Sequence, residues 1–128
     1  MVKKAASAGA AAVLVLAALA ATRGEAADKN NRFSVRGLGT TSCSKYLEIR
    51  NLNNDESQEF VHWFTGFLTA YNWQEPDTYD VAPSTQYSSA GLLRFMDLYC
   101  GQSPTKRIID AALGFVGAVY EKRVKVGS

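Results

Sequence analysis

Residues 55–71, with the sequence DESQEFVHWFTGFLTAY, decide the fold class, because their bulky apolar side chains recur with the period of an α-helix. Acidic residues stand first, where the positive end of a helix dipole favours them. The apolar residues then form one stripe, which is typical of a helix that packs one face against a core. We therefore predict a helix from Asp55 to Tyr71, with Asn53 and Glu56 at the spacing of a capping box. The stripe consists of Phe60, Trp63, Phe64, Phe67, Leu68 and Tyr71.

A shorter helix is predicted before this one. Thr41 or Ser42 can accept a hydrogen bond from its first turn, as an N-terminal cap does. Cys43, Tyr46 and Leu47 then follow at positions i, i+3 and i+4, which places them on one face.

Two more helices are predicted after a loop. Residues 72–83 (NWQEPDTYDVAP) contain two prolines and are expected to form that loop. The third helix begins between Ser84 and Ser89 and ends at Cys100, with Gly101 as its C-terminal cap. The fourth begins with Ser103 as its cap, followed by a proline. Since no segment shows the alternation of a strand, the sequence predicts an all-α domain of four helices.

The first 26 residues have the layout of a secretory signal peptide. A basic start, MVKK, is followed by the apolar residues 5–21 and by Gly24-Glu25-Ala26, with small residues at −3 and −1 of a cut. A permanent membrane anchor is the alternative, but the apolar run falls short of the ~20 residues that span a bilayer. Residues 27–40 are then expected to be a flexible arm, and residues 41–124 the helical domain.

Removal of the signal peptide leaves a chain without net charge. Residues 1–26 contain three of the 14 basic and one of the 12 acidic residues, so eleven of each remain. Nucleic-acid binding depends on an excess of lysine and arginine, which this chain lacks. We therefore expect no nucleic-acid partner.

The two cysteines are expected to form one structural disulfide. Exported chains meet an oxidising compartment, and Cys43 and Cys100 both follow the signal peptide. A redox-active pair would usually be close in sequence, as in Cys-x-x-Cys, whereas these two are 57 positions apart. Closing a loop of about 58 residues is worth roughly 4 kcal/mol in the chain-entropy description.

The residues offer little for catalysis. His62 is the single histidine, so any histidine-dependent mechanism must use it. Glu59 and His62 have a metal-like i, i+3 spacing, but a carboxylate-bridged di-iron bundle needs two such pairs and further glutamates. We expect both side chains on the solvated face of the helix, and predict no enzyme activity, no metal and no cofactor.

Three short motifs together resemble the HdeA/HdeB-like exported helical proteins. They are Cys43-x-x-Tyr46-Leu47, Trp63-x-x-Gly66-Phe67 and Tyr99-Cys100-x-x-x-Pro104, and the resemblance covers roughly residues 41–122. It implies a small all-helical periplasmic domain with one disulfide. It also implies a chaperone of the acid-stress response, which exposes apolar surface at low pH and holds unfolding clients. A looser resemblance is to helical periplasmic immunity proteins that block secreted cell-wall amidases.

The crowded aromatic residues allow two interpretations. They either form the core of a four-helix domain or include a surface for clients or partners, since loop aromatics often mark contact sites. We expect a non-catalytic periplasmic binding protein with unfolded or partner proteins as ligands. The alternative is an immunity or inhibitor protein against a secreted toxin or cell-wall enzyme, and the sequence leaves a homodimer open. The candidate binding residues are Phe60, Trp63, Phe64, Phe67, Trp73 and Tyr79.

Overall fold

A computed structural model describes residues 27–52 and 54–128, and the predicted signal peptide lies outside these residues. Within the described residues every regular element is helical, which confirms the predicted all-α fold. The four α-helices are α1 (Cys43–Leu52), α2 (Asn54–Gln74), α3 (Ser89–Gln102) and α4 (Ile108–Val119), and two 3-10 helices span Gly37–Thr40 and Tyr120–Lys122.

Two of the predicted helix starts are confirmed. The Ser42 hydroxyl accepts the backbone N–H of Lys45 at 3.2 Å, so it caps α1. The Ser88 hydroxyl accepts the N–H of Gly91 at 3.2 Å and caps α3. The predicted capping box of α2 depends on Asn53, which lies outside the described residues.

The fourth helix begins later than predicted, at Ile108 instead of directly after Ser103. The backbone before it bonds to the start of α1: the Cys43 N–H donates to the Lys106 carbonyl at 2.7 Å, and the Ile108 N–H donates to Thr41 at 2.9 Å. These bonds hold residues 104–107 in a turn. Nor does Gly101 end α3, because the helix continues to Gln102.

The second helix ends later than predicted. It runs to Gln74, because no proline interrupts it before Pro76, so Trp73 is helical instead of part of the loop. The loop that follows is anchored by Asn72, whose side-chain oxygen accepts the N–H of Val81 at 2.8 Å. The anchored loop inserts Val81 into the core, where it is fully buried.

The core is aromatic at its centre. Phe115, which the sequence analysis did not select, packs edge-to-face on Phe64, Tyr87 and Phe95 at centroid distances of 5.4, 5.4 and 5.1 Å. Phe115 is 4% exposed, whereas Leu113, two positions earlier on α4, is 42% exposed. The largest fully buried side chains are Tyr46, Phe60, Phe64, Met96, Ile108, Val81, Cys43, Cys100 and Ser57.

The predicted disulfide is present between α1 and α3. Cys43 and Cys100 are both fully buried, with their Cα atoms 4.7 Å apart. The bridge therefore links the start of the helical domain to the last turn of its third helix. None of the described helices has the length and apolar character needed to cross a bilayer.

The C-terminal end of the segment that was expected to be a flexible arm is helical. Residues Gly37–Thr40 form a 3-10 helix, and the chain from Val35 onward belongs to the compact unit that ends at Ser128. Gly39 is buried, and its backbone lies against the side chain of Trp63. Farther upstream, the Asp28 carboxylate accepts the backbone N–H of Arg32 at 2.8 Å and closes a local turn.

Candidate functional site

Burial divides the six candidate binding residues into two groups. Phe60 and Phe64 are 2% and 0% exposed and belong to the core, so they cannot meet a partner while the fold is intact. For these two, the structure favours the core interpretation over the surface interpretation. Trp63 and Phe67 are half-buried.

The remaining two candidates, Trp73 and Tyr79, are surface residues. Their exposed fractions are 89% and 73%, the former on the last turn of α2 and the latter on the loop. The backbone N–H of Tyr79 donates to the Val124 carbonyl at 2.9 Å, which ties the loop to the C-terminal tail. Arg123 reinforces this contact, since its Nε atom donates to the Thr78 hydroxyl at 3.1 Å.

Three half-buried aromatic rings follow one another along α2. Trp63 and Phe67 are stacked with centroids 5.9 Å apart, and Phe67 and Tyr71 lie 6.4 Å apart. The residues are spaced four apart, which places them on the same side of the helix. We call Trp63, Phe67 and Tyr71 the aromatic row. Tyr71 was expected in the core stripe and was not named as a binding residue.

A short segment, which we call the glycine strap, covers Trp63. It comprises residues 35–40 (VRGLGT). The Trp63 indole N–H donates to the Arg36 carbonyl at 2.9 Å. A Cβ atom at Gly39 would stand 2.6 Å from one carbon of the indole ring, so only glycine fits there. Gly37 has a φ of +63°, a conformation that also favours glycine.

A polar cluster joins α1 to α3 near the disulfide. Arg50 binds Asp97 through two parallel hydrogen bonds, Nε to Oδ1 and Nη2 to Oδ2, each 2.8 Å long. The hydroxyl of Tyr46, a fully buried residue, donates to the same carboxylate at 2.8 Å. From α2, the buried Ser57 hydroxyl lies 3.5 Å from Arg50 Nη1. We call Tyr46, Arg50 and Asp97 the Arg50 cluster.

The cluster shifts the pKa of its carboxylate. Burial by itself would raise the pKa of Asp97, but the hydrogen bonds from Arg50 and Tyr46 outweigh burial and hold this pKa below its usual value. The pKa of Tyr46 is raised, first by burial and then by its bond to Asp97. The fold therefore stabilises a charged carboxylate and a neutral phenol at neutral pH.

The histidine of the metal-like pattern lies on the solvent side of α2. His62 Nδ1 is 3.9 Å from Glu59 Oε1, and the two side chains are 71% and 68% exposed. This confirms the expectation that both lie on the solvated face. In the part of the chain that the structure describes, no group of three histidine, cysteine or acidic side chains is placed to hold a metal ion.

The Arg50 cluster was not predicted from the sequence. Tyr46 was selected for its place on an apolar face, and a buried tyrosine usually requires a polar partner for its hydroxyl. That requirement was the available signal, but its partner is 51 positions away on another helix. Periodicity along one helix cannot reveal such a pairing.

Comparison of the chain with protein-family models, curated proteins and solved structures finds no match in any of the three. The site is therefore interpreted from its own residues and geometry.

Proposed function

We propose that this protein is an exported, non-catalytic binding protein that holds unfolding polypeptides under acid stress, in an oxidising compartment such as the periplasm. The observation that carries the proposal is the Arg50 cluster, a contact between α1 and α3 that requires a charged carboxylate. Acid weakens this contact, while the disulfide between the same two helices is indifferent to pH.

The direction of the acid effect follows from the pKa of Asp97. Because this pKa is lower in the folded than in the unfolded chain, the contact contributes its full stabilisation above the unfolded value of about 3.9. The stabilisation disappears as the pH falls through the folded-state pKa. Arg50 stays charged throughout and then faces a neutral carboxyl group.

Overall charge acts in the same direction. After removal of residues 1–26, the chain has eleven basic and eleven acidic side chains. Below about pH 3 most carboxylates are protonated, and with His62 charged the side chains carry a net charge near +12. Repulsion of this size favours expansion of a small domain and keeps it soluble. A disulfide-tethered, loosened helical state would then expose the aromatic row and the core residues Phe60 and Phe64.

The experiment is a pH titration from 7 to 2 with a dye that reports exposed apolar surface, run beside a client-aggregation assay. We expect dye binding to rise below pH 4 and aggregation of the client to fall in the same range. Asp97→Asn removes the carboxylate charge, so its dye transition should begin at a higher pH. Glu48→Gln is the matched control, since Glu48 pairs with Lys45 at the exposed surface of α1.

A flat dye signal together with unchanged client aggregation would sink the chaperone proposal. If dye binding rises at the same pH in Asp97→Asn and Glu48→Gln, the Arg50 cluster does not control the acid response.

The second candidate function is an immunity or inhibitor protein against a secreted toxin or cell-wall enzyme. The favouring observation is the exposure of Trp73 and Tyr79 in the intact fold, since aromatic residues are enriched at protein interfaces. Trp73→Ala and Tyr79→Ala should then weaken binding of the target toxin or cell-wall enzyme at pH 7 without changing the fold. Capture that is unaffected by both substitutions would argue against this surface.

A further inference from the structure

We infer that the glycine strap, whose residues Gly37–Thr40 form a 3-10 turn, is an internal ligand on a surface that binds short glycine-containing segments of unfolded polypeptide, and that the aromatic row continues this surface. The inference deepens the proposed function, on which it rests, by naming where a client segment would bind. The strap occupies the first ring of the row, Trp63, and thereby acts as an autoinhibitory contact.

The contacts of the strap show which ligand the surface accepts. The Trp63 indole donates to a backbone carbonyl, that of Arg36, and every residue of a polypeptide carries such a group. The two glycines bring their backbone against the ring, since a Cβ at Gly37 would already lie 3.4 Å from the Trp63 Cδ1 atom. Leu38, between them, packs against the core cluster. Glycines on either side of one apolar side chain therefore suit this surface.

The aromatic row extends the surface beyond the strap. From Trp63 to Tyr71 the helix rises about 12 Å, at 1.5 Å per residue, and about four extended residues span that distance. Phe67 and Tyr71 are half-buried and present apolar rings along this length. The occupant we propose is a segment of an unfolded protein that has glycine on either side of a bulky apolar residue and forms a turn on Trp63, as the strap does.

The strap can leave without disturbing α1. The N–H of Ile108 fixes the chain at Thr41 with a 2.9 Å bond, so the helical domain is anchored directly downstream of the strap. Upstream of this anchor, the hydrogen bond from Trp63 to Arg36 and the packing of Leu38 hold the strap on α2, and its 3-10 helix also contacts α4. Thr41 is therefore the hinge about which residues 35–40 would swing.

The test uses the whole exported chain with Trp73→Phe as background, because Trp63 is then its sole tryptophan. Adding Gly39→Ala places a methyl group against the indole ring and should displace the strap at pH 7. The expected result is a red shift of the Trp63 emission with unchanged helix content. Gly117→Ala is the matched control, because a Cβ there meets nothing within 4 Å.

Leu38→Ser provides a second way to release the strap, since it weakens the apolar anchor without inserting atoms at the ring. It should give a red shift in the same direction. If Gly39→Ala loses its helical signal, the Leu38→Ser variant decides the question. Trp63 emission identical to that of the Gly117→Ala control would overturn the inference.

The binding probe is a synthetic peptide with the sequence of the strap, VRGLGT, and its control is VRALAT. VRGLGT should bind the Gly39→Ala protein at least about tenfold more tightly than the Gly117→Ala protein, because the internal competitor has been displaced. VRALAT should bind neither, because the methyl group at the position of Gly39 clashes with the ring and the alanine at the position of Gly37 disfavours the positive φ. Equal binding of the two peptides would contradict the proposed mode of recognition.

Two further outcomes separate this inference from the proposed function. Peptide binding at pH 7 without any protection of a client in acid supports the peptide surface and sinks the chaperone proposal. If the protein protects a client in acid but the strap-released variants bind no peptide, the chaperone proposal is supported and the peptide surface is overturned. If the Trp63 emission changes with protein concentration, as it would on dimerisation, the surface binds a second copy of the chain. That result would overturn the inference.

Discussion

Two regions of the molecule are stabilised in different ways: the contact between α1 and α3, and the aromatic row of α2 with the strap that covers it. The first has a buried disulfide and the part-buried Arg50 cluster. The second has a half-buried aromatic row, covered at Trp63 by a short strap with one indole hydrogen bond. A change of pH does not break the disulfide, but it can break the ion pair between Arg50 and Asp97. The apolar surface at Trp63 becomes accessible only when the strap is displaced. The comparison indicates that α1 and α3 stay tethered in acid. Under the proposed function, apolar surface becomes accessible elsewhere.

The largest expected effect comes from breaking the tether. Replacing Cys43 and Cys100 together by serine should lower the free energy of unfolding by about 2–5 kcal/mol, because the unfolded chain regains the freedom of a long loop. Urea denaturation of the oxidised protein and the double variant measures the difference. Full reaction of the native, untreated protein with a thiol reagent would show that the bridge does not form.

The next effect concerns the ion pair. Asp97→Asn should lower the free energy of unfolding by about 1–2 kcal/mol at pH 7, at the low end for a charged hydrogen bond because the Asp97 side chain is 35% exposed. The deficit should begin to shrink as the pH falls below about 3.9, the unfolded value, and should disappear only below the folded-state pKa of Asp97. Urea midpoints at pH 7, 5 and 3 measure it. A deficit that stays constant over this range would contradict the assigned pKa direction.

A smaller effect distinguishes the two tryptophans of α2. Trp63→Phe keeps an aromatic ring but removes the donor to the Arg36 carbonyl, so a loss of about 1 kcal/mol is expected. Trp73→Phe changes a side chain that is 89% exposed, and its effect should stay within about 0.5 kcal/mol. Thermal unfolding at pH 7 compares the pair. Equal shifts would show that the hydrogen bond to the strap contributes nothing measurable.

The smallest effect is expected on the solvated face of α2. His62→Ala should leave stability within about 0.5 kcal/mol and peptide binding unchanged, since the His62 side chain is 71% exposed and weakly paired with Glu59. Equilibrium unfolding and the peptide titration check this. Retention of a stoichiometric transition metal through chelation and dialysis would show that Glu59 and His62 belong to a metal site.

Local rules predicted the helices well and their ends less well. Ser42 and the range 84–89 gave the starts of α1 and α3, because a capping side chain acts on its own first turn. The start of α4 was missed because residues 104–107 bond to the start of α1, which is distant in sequence. The site was predicted in part. The aromatic residues were identified, but their division into core and surface was not.

The sequence by itself determined the all-α class, the apolar stripe of α2 and the single cysteine pair, since these depend on periodicity and composition. The tertiary structure alone decided the pairing of Arg50 with Asp97 and the position of the glycine strap on Trp63. These contacts join residues 47 and 27 positions apart. Such neighbours are chosen by how the helices pack, and a pattern read along one helix contains no information about the side chain that will face it.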